Sequence, residues 1–200
     1  LALVSTLRKS EDALLRVGIA LHSLRAVPAE AMRDLVAAAP ADTPIHIHIS
    51  EQVAEVEECL QFRGARPVQW LLANASVNGR WTLVHATHLD AAESEALGRS
   101  GAVVALCPTT EANLGDGLFP LREFLGHGGR IGVGSDSNGS VSPVEELRWL
   151  EYGQRLVTRQ RNVSTSHQYA SSGESVLLRS VDGGRQAVAQ DGQERDFFTL

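Results

Sequence analysis

Residues 44–63 read PIHIHISEQVAEVEECLQFR, and this stretch decides the fold. An apolar run of seven residues, 44–50, is followed by a segment in which Val53, Val56 and Leu60 recur at helical spacing. The same unit returns on both sides of it. The other apolar runs are RVGIALH (16–22), WTLVHAT (81–87), AVVALCP (102–108) and RIGVGSD (130–136). The chain is therefore predicted to alternate strands with helices.

Most of these runs lead into a predicted helix. Pro28 is placed at the start of the first helix, and Asp90 with Glu93 forms a capping-box-like pair at the start of another. The fourth run is instead expected to lead into a Gly-rich loop. The predicted helices cover residues 28–39, 51–63, 67–75, 90–99, 121–127, 143–161 and 174–189.

The continuous apolar character of the strands predicts a parallel sheet that is buried on both faces. Both a (β/α) barrel and a doubly wound sheet fit this order. Polar residues at the end of every strand favour the barrel, and no GxGxxG or GxxxxGK[ST] pattern supports the alternative. Eight βα units need about 250 residues, and only five occur within residues 1–161. The predicted fold class is α/β, a partial TIM-like (β/α)8 barrel that is incomplete in this chain.

The composition narrows the range of partners and compartments. The 200 residues carry a formal net charge of −6, which argues against nucleic acid as the main partner. The apolar runs are too short to cross a bilayer, so no membrane association is expected. Two cysteines, Cys59 and Cys107, fit a reducing cytoplasm, where we expect the protein to reside.

Histidines and an aspartate stand where the predicted strands end. A lone buried histidine is most often a hydrogen-bonding core residue. A barrel, however, would point several strand ends at one cavity. Imidazole and carboxylate ligands together suit a divalent cation, and zinc fits that mixture best. The residues are His22, His48, His85 and Asp136.

His46 and His48 share one face of their strand and could form a metal-binding pair. Glu51 follows closely, where a carboxylate could act as a general acid or base, or simply favour the first turn of a helix. We interpret His46 as a barrel-packing residue. Asp136 could ligate a metal and accept a proton, or cap a turn.

Other polar residues allow two interpretations. Arg25, three residues after His22, could bind a substrate carboxylate or make a surface ion pair. Cys107 is interpreted as a small apolar residue and not as a nucleophile. His88 is expected beside the site or in a loop, and His127 and His167 are expected in solvent. Glu111, Asn113 and Asp116 could each line the site or cap a turn.

Five motifs in this order resemble the formimidoylglutamate deiminases of the amidohydrolase superfamily. The pair HSLR and PTTEANLGDG is the most specific part of this resemblance, which covers residues 16–161. The closing GQERDFFTL (192–200) resembles the start of the superfamily's small C-terminal β domain. The motifs are HSLRAVP (22–28), HIHISEQ (46–52), LVHATHLD (83–90), CPTTEANLGDGLFP (107–120) and GVGSDSN (132–138).

The resemblance implies an amidohydrolase-type barrel with one zinc ion per active site, iron being an alternative metal. It implies hydrolysis of N-formimidoyl-L-glutamate to N-formyl-L-glutamate and ammonia, in histidine degradation. The partner would be a small molecule with carboxylates, and the chain could form a homodimer. The implied roles are metal ligation by His48 and Asp136, catalysis by Glu51, His85 and Asp136, and substrate binding by His22 and Arg25.

One element of the superfamily pattern has no counterpart in this chain. The first barrel strand of the superfamily supplies an HxH pair to the metal, and nothing before Arg16 matches it. The chain is therefore predicted to contain strands four to eight. Residues 1–161 would be the C-terminal part of the barrel, and residues 162–200 its last helix and the start of the β domain. Alone, it is expected to bind zinc weakly and to turn over nothing.

Two other functions fit parts of the pattern. A superfamily deaminase acting on a heterocyclic amine would share the strand-end residues. Only 5% of the residues are aromatic, however, and the arginine of HSLR suits an acidic substrate better. The second alternative is a non-catalytic barrel fragment. A phosphate-binding aldolase is disfavoured because Lys9, the single lysine, lies too early.

Overall fold

The computed structural model describes residues 2–12, 15–137 and 140–190. Its centre is a five-stranded parallel sheet in which the strands lie in chain order. All five predicted strands are confirmed: four lie inside their apolar runs, and the first extends one residue beyond its run. They are β1 (Ile19–Ser23), β2 (Ile45–Ile49), β3 (Trp81–His85), β4 (Val103–Leu106) and β5 (Arg130–Val133).

The helices follow the predicted order, with two differences. The segment after β4, predicted as a loop, forms a helix that starts with Pro108 at its first position. It ends at Gly115, which adopts a left-handed φ of 74°. A further helix at the start of the chain was not predicted. The helices are α1 (Ala2–Leu7), α2 (Ala29–Ala38), α3 (Val53–Arg63), α4 (Pro67–Asn74), α5 (Ala91–Ser100), α6 (Pro108–Leu114), α7 (Leu121–Gly126), α8 (Pro143–Thr158) and α9 (Ser172–Ala187), with a 3-10 turn at Arg8–Ser10.

The register of the sheet separates its two faces. His48 is aligned with Val84 of β3, which places both side chains on the same face. The opposite face carries the intervening apolar residues of β2 and β3. These residues join one core with Met32, Leu71, Leu97 and Phe124 from four of the helices. They are Ile45, Ile47, Ile49, Trp81 and Leu83, each at most 1% exposed.

Helix α9 lies against the ends at which the strands begin. The side-chain amide of Gln186 donates to the carbonyl oxygens of Gly79 and Gly101, just before β3 and β4, at 2.8 Å each. Nε2 of His46 lies 2.8 Å from the carbonyl oxygen of Ala187. His46 therefore has a packing role, as the sequence predicts, and α9 leaves the opposite end of the sheet open.

The sheet has two edges, β1 and β5, and within the described residues no further strand joins them. This is the architecture of a partial barrel. Across the same residues, no helix combines the length and the apolar character needed to span a membrane. The segment predicted to begin a β domain, residues 192–200, lies outside the described part of the chain.

Candidate active site

An unusual backbone conformation marks the ends of the strands. Left-handed φ angles are uncommon for residues other than glycine, and they cluster at functional sites. Such residues occur at or just after the carboxyl ends of four of the five strands. Because the strands are parallel, these ends lie on the same side of the sheet. The residues are His22 (φ 41°), Ser50 (φ 50°), His85 (φ 68°), Ala86 (φ 48°) and Asp136 (φ 46°).

Three histidines from neighbouring strands form a row at these carboxyl ends. The ring centroids of His22 and His48 are 5.6 Å apart, and those of His48 and His85 are 5.7 Å apart. Nδ1 of His48 lies 2.9 Å from the backbone carbonyl oxygen of His22. Because a carbonyl can only accept, Nδ1 of His48 donates in this hydrogen bond, and in a neutral ring Nε2 keeps its lone pair. This is the arrangement in which a histidine binds a metal ion.

The third histidine, His85, lies between two carboxylates. Its Nε2 is 3.6 Å from Oε1 of Glu51, and its Nδ1 is 3.3 Å from Oε1 of Glu111. The side chain of His85 is only 1% exposed. The ring nitrogens of His85 are therefore shielded from solvent, and their nearest polar groups are these two carboxylates.

The surroundings of His85 change its acidity in two opposing directions. Desolvation by burial favours the neutral ring and would lower the pKa of His85. The hydrogen bond with Glu111 and the negative charges of Glu51, Glu111 and Asp136 favour the imidazolium. Together they outweigh burial, so the pKa of His85 is raised above its ordinary value. The site thus favours a proton on this histidine.

Glu51 lies just before helix α3, not within its first turn. The sequence predicts a helix from residue 51, but the helix begins at Val53, with Gln52 as an extended N-cap. The backbone N–H of Glu51 donates to Oε2 of Glu55 at 2.9 Å, which satisfies an otherwise free donor at the helix start. The side chain of Glu51 faces His85 instead, with Oε1 3.6 Å from Nε2 of that ring.

Asp136 and Arg25 are the two remaining predicted site residues, and both are exposed. Asp136 is exposed, three residues beyond β5, and its charge contributes to the raised pKa of His85. Arg25 is exposed in the turn after β1 and lines a cleft of about 460 Å³ with Glu55, Glu58 and Phe62. The structure therefore brings together His22, His48, His85 and Glu51, and Asp136 lies where β5 has ended. Arg25 lies in a separate cleft against α3.

One group of three potential metal ligands occurs within the described residues: His85, Cys107 and Glu111, whose ligand atoms lie within 4.8 Å of one another. Burial, followed by the charges of nearby carboxylates, raises the pKa of the Cys107 thiol far above its usual range. The thiol is therefore protonated and a poor ligand, which also supports the prediction that Cys107 is no nucleophile. We interpret this group as a hydrogen-bonded cluster. Ligation by His48 and Asp136 stays a prediction.

Glu111 is the site residue whose role sequence reasoning left open. It stands in the first turn of α6, a position with a recognisable signal once Pro108 is read as a helix start. Asn113 is exposed, whereas Asp116 is partly buried and its Oδ2 has no hydrogen-bond partner. A second cleft, of about 780 Å³, is lined by Arg80 and Arg130 near the strand starts and contains none of the predicted site residues.

This geometry defines the class of partial (β/α) barrels with a row of histidines that could bind a metal. The family model described as "Amidohydrolase family" matches residues 2–172. The chain belongs to the amidohydrolase family.

Two relatives differ in the activity that their names state. The formimidoylglutamate deiminase of Pseudomonas aeruginosa is 52% identical over 174 residues, which are 87% of this chain and 38% of that protein. The 5-methylthioadenosine/S-adenosylhomocysteine deaminase of Natronomonas pharaonis is 32% identical over 152 residues, 74% of this chain and 35% of that protein.

Solved structures agree on the fold. An amidohydrolase from Brucella melitensis superposes with a TM-score of 0.89 at 44% identity, covering 94% of this chain and 42% of that one. An adenosine deaminase from Xanthomonas campestris, described with bound zinc, superposes with a TM-score of 0.81 at 24% identity, covering 94% and 43%. This chain thus spans less than half the length of the relatives it matches, and its sheet corresponds to part of their fold.

Proposed function

We propose that the protein containing this chain hydrolyses N-formimidoyl-L-glutamate to N-formyl-L-glutamate and ammonia with the help of one zinc ion. The observation that carries the proposal is the row His22, His48 and His85 beside Glu51, at one edge of the sheet. The 52% identity to a formimidoylglutamate deiminase favours this substrate within the family.

The residues at the strand ends fit a divalent cation. His48 and Asp136 would hold it, and the hydrogen bond to the His22 carbonyl directs Nδ1 of His48 away so that Nε2 of the neutral ring can bind the cation. A nitrogen and a carboxylate oxygen form a donor set that zinc accepts and that iron also tolerates. The cation supplies Lewis acidity toward water and substrate when it is bound.

Proton transfer would be carried out by this chain's own carboxylates and by His85. Water gives up one proton as it adds to the formimidoyl carbon and its second proton as the new carbonyl forms, and the imine nitrogen gains both and leaves as ammonia. Asp136, exposed at the strand edge, can accept the proton of the attacking water. Glu51 can deliver a proton to the leaving nitrogen, so that ammonia departs. His85, with Nε2 toward Glu51, would orient or polarise the attacking water.

The acidic part of the substrate needs cationic partners. Arg25 offers a planar guanidinium that can bind a carboxylate with two parallel hydrogen bonds. His22 lies in β1, the strand that precedes Arg25, and its ring centroid is 5.6 Å from that of His48. A substrate bound to both Arg25 and His22 would lie over the histidine row. Such a small dicarboxylate would be a metabolite of histidine degradation in the cytoplasm.

The decisive experiment compares two forms of the protein. One is the 200-residue chain, and the other is the chain extended upstream by the segment that its relatives possess, called the extended protein below. We expect the extended protein to release ammonia from N-formimidoyl-L-glutamate and the short chain to release none. Glu51→Gln in the extended protein should lower kcat roughly 10²–10⁴-fold.

Heterocyclic amines are the comparison substrates, since relatives at about a third identity are named as deaminases of such compounds. Turnover of a heterocyclic amine in preference to N-formimidoyl-L-glutamate would replace the proposed substrate. Full activity of the short chain would contradict the view that the site needs further residues.

A further inference from the structure

Glu111 is a buried carboxylate in contact with two groups of the site. Its Oε1 lies 3.3 Å from Nδ1 of His85 and accepts the backbone N–H of Cys107 at 3.0 Å. The residue is 4% exposed, so neither contact is shared with bulk solvent. His85 and Glu111 are 26 residues apart and belong to different βα units, which makes their contact a product of the fold.

The two nitrogens of His85 face different carboxylates, and this determines what the ring can do. A neutral imidazole carries one proton, and the nitrogen that holds it is set by the hydrogen bond at the other. Glu111 can only accept when it is ionised. A proton held between Nδ1 and Glu111 leaves the lone pair of Nε2 directed toward Glu51, 3.6 Å away.

Helix α6 holds Glu111 in place from a second direction. The backbone N–H of Thr109 donates to Oε2 of Glu146 at 2.9 Å, and its hydroxyl donates to Oε1 at 2.5 Å. Glu146, 1% exposed on α8, thus fixes the first turn of α6 without contacting His85. The carboxylate of Glu111 is accordingly attached to a rigid helix start.

The geometry points to Glu111 as a positioning residue that fixes the tautomer and the orientation of His85 for the reaction. The kinetic part of this inference rests on the proposed function, whereas the tautomer does not. The alternative is a purely structural role, in which Glu111 only caps the backbone at Cys107. Glu146 provides the matched control, because it is a buried carboxylate that caps the same helix start.

The test is the tautomer of His85 in the extended protein after a chelator has removed its metal. The protein is labelled with ¹⁵N-histidine, the His85 signals are assigned with His85→Asn, and spectra are recorded at a pH where the ring is neutral. We expect the proton on Nδ1 in the unsubstituted protein. Glu111→Leu should move it to Nε2, because Glu51 is then the remaining carboxylate acceptor. Glu111→Gln should restore the Nδ1 proton, since the amide oxygen can accept it.

Glu146→Gln should leave the tautomer of His85 unchanged even though it weakens the start of α6. A proton on Nε2 in the unsubstituted protein would overturn the inference without any variant, so the test does not depend on the folding of Glu111→Leu. The same shift of the proton in Glu111→Leu and Glu146→Gln would assign Glu111 a structural role only.

The kinetic arm also uses the extended protein. Glu111→Leu should lower kcat roughly 10- to 100-fold with little change in KM, the usual range for a residue that orients another. Glu111→Gln should recover most of that loss, and Glu146→Gln should change kcat far less. If the extended protein releases no ammonia from N-formimidoyl-L-glutamate, the proposed function fails, and the tautomer measurement still decides the position of the proton.

Discussion

The ring of His48 is held by the backbone of His22. The register between β1 and β2 shifts between Ala20 and Ser23, so that β1 contains one extra residue at this point. His22 takes up the irregularity with its left-handed φ of 41°. Its carbonyl oxygen lies 2.9 Å from Nδ1 of His48 as a result. The bulge in one strand therefore sets which nitrogen the neighbouring strand presents to the site.

The first prediction concerns metal affinity. His48→Gln in the extended protein should weaken zinc binding by more than about 10-fold, because it removes the nitrogen whose lone pair is free. His46→Gln is the control, since it lies on the same face of the same strand but contacts Ala187. Competition with a chromogenic chelator measures both. Equal losses in the two variants would remove His48 from the ligand set.

The second prediction concerns the contact between α9 and β5. A Cβ on Gly183 would overlap the carbonyl oxygen of Ile131, whereas nothing lies within 4 Å of one on Gly184. Gly183→Ala should lower the free energy of unfolding by about 1–3 kcal/mol, because backbone must move to admit the methyl group. Gly184→Ala should be neutral or stabilise by up to about 1 kcal/mol. Urea unfolding compares the two, and similar values would contradict the packing described.

A third prediction gives the pH dependence of one buried carboxylate. Glu151, 5% exposed on α8, accepts from Arg155, from the backbone N–H of Val163, and from both the N–H and the hydroxyl of Ser164. Desolvation would raise the pKa of Glu151, but these bonds lower it below its ordinary value of 4.5. A lowered folded-state pKa stabilises the protein above the unfolded-state value. That stability is lost as the pH falls through the folded-state pKa.

Glu151→Gln should therefore reduce the free energy of unfolding at pH 7 by about 1–3 kcal/mol. The difference from the unsubstituted chain should shrink as the pH falls below 4.5. Glu58→Gln, an exposed position on α3, should show no such pH dependence. Urea unfolding at a series of pH values measures all three proteins. A constant difference across the series would mean that the charge of Glu151 is not involved.

The fourth prediction tests the start of α5. Asp90 accepts the backbone N–H of Glu93 at 2.8 Å, and Glu93 accepts that of Asp90 at 3.0 Å, which confirms the predicted capping box. Asp90→Ala should cost about 0.5–2 kcal/mol of stability. Asp90→Asn should cost much less, because an amide oxygen caps equally well. Thermal unfolding compares the pair, and an equal loss would indicate that the ion pair with Arg66 dominates.

Much of the fold could be predicted because its signals are local. Each strand is a continuous apolar run bounded by polar residues, and Asp90 and Pro28 mark helix starts within one or two residues. Helix α6 was missed because its seven residues are followed closely by glycines at 115 and 117, which suggest a loop. The strong start signal at Pro108 was outweighed by that composition.

The site residues also divide into those whose position a local pattern predicts and those whose position it does not. Spacing within one segment places His48 and Glu51 at a strand end, and in the structure His48 lies in β2 and Glu51 two residues beyond that strand. The pairing of His85 with Glu111 depends on how two βα units pack, which no local pattern encodes. The orientation of His48 depends on a bulge in another strand, and the hydrophobic pattern of the sequence does not reveal a bulge of one residue.

The unpartnered edges of the sheet have a practical consequence. The outer sides of β1 and β5 present backbone donors and acceptors, and within the described residues no strand covers them. Such edges are templates for pairing with another polypeptide. Produced in isolation, the chain should therefore self-associate edge to edge as its concentration rises. Adding a fragment that supplies the neighbouring strands should suppress this association.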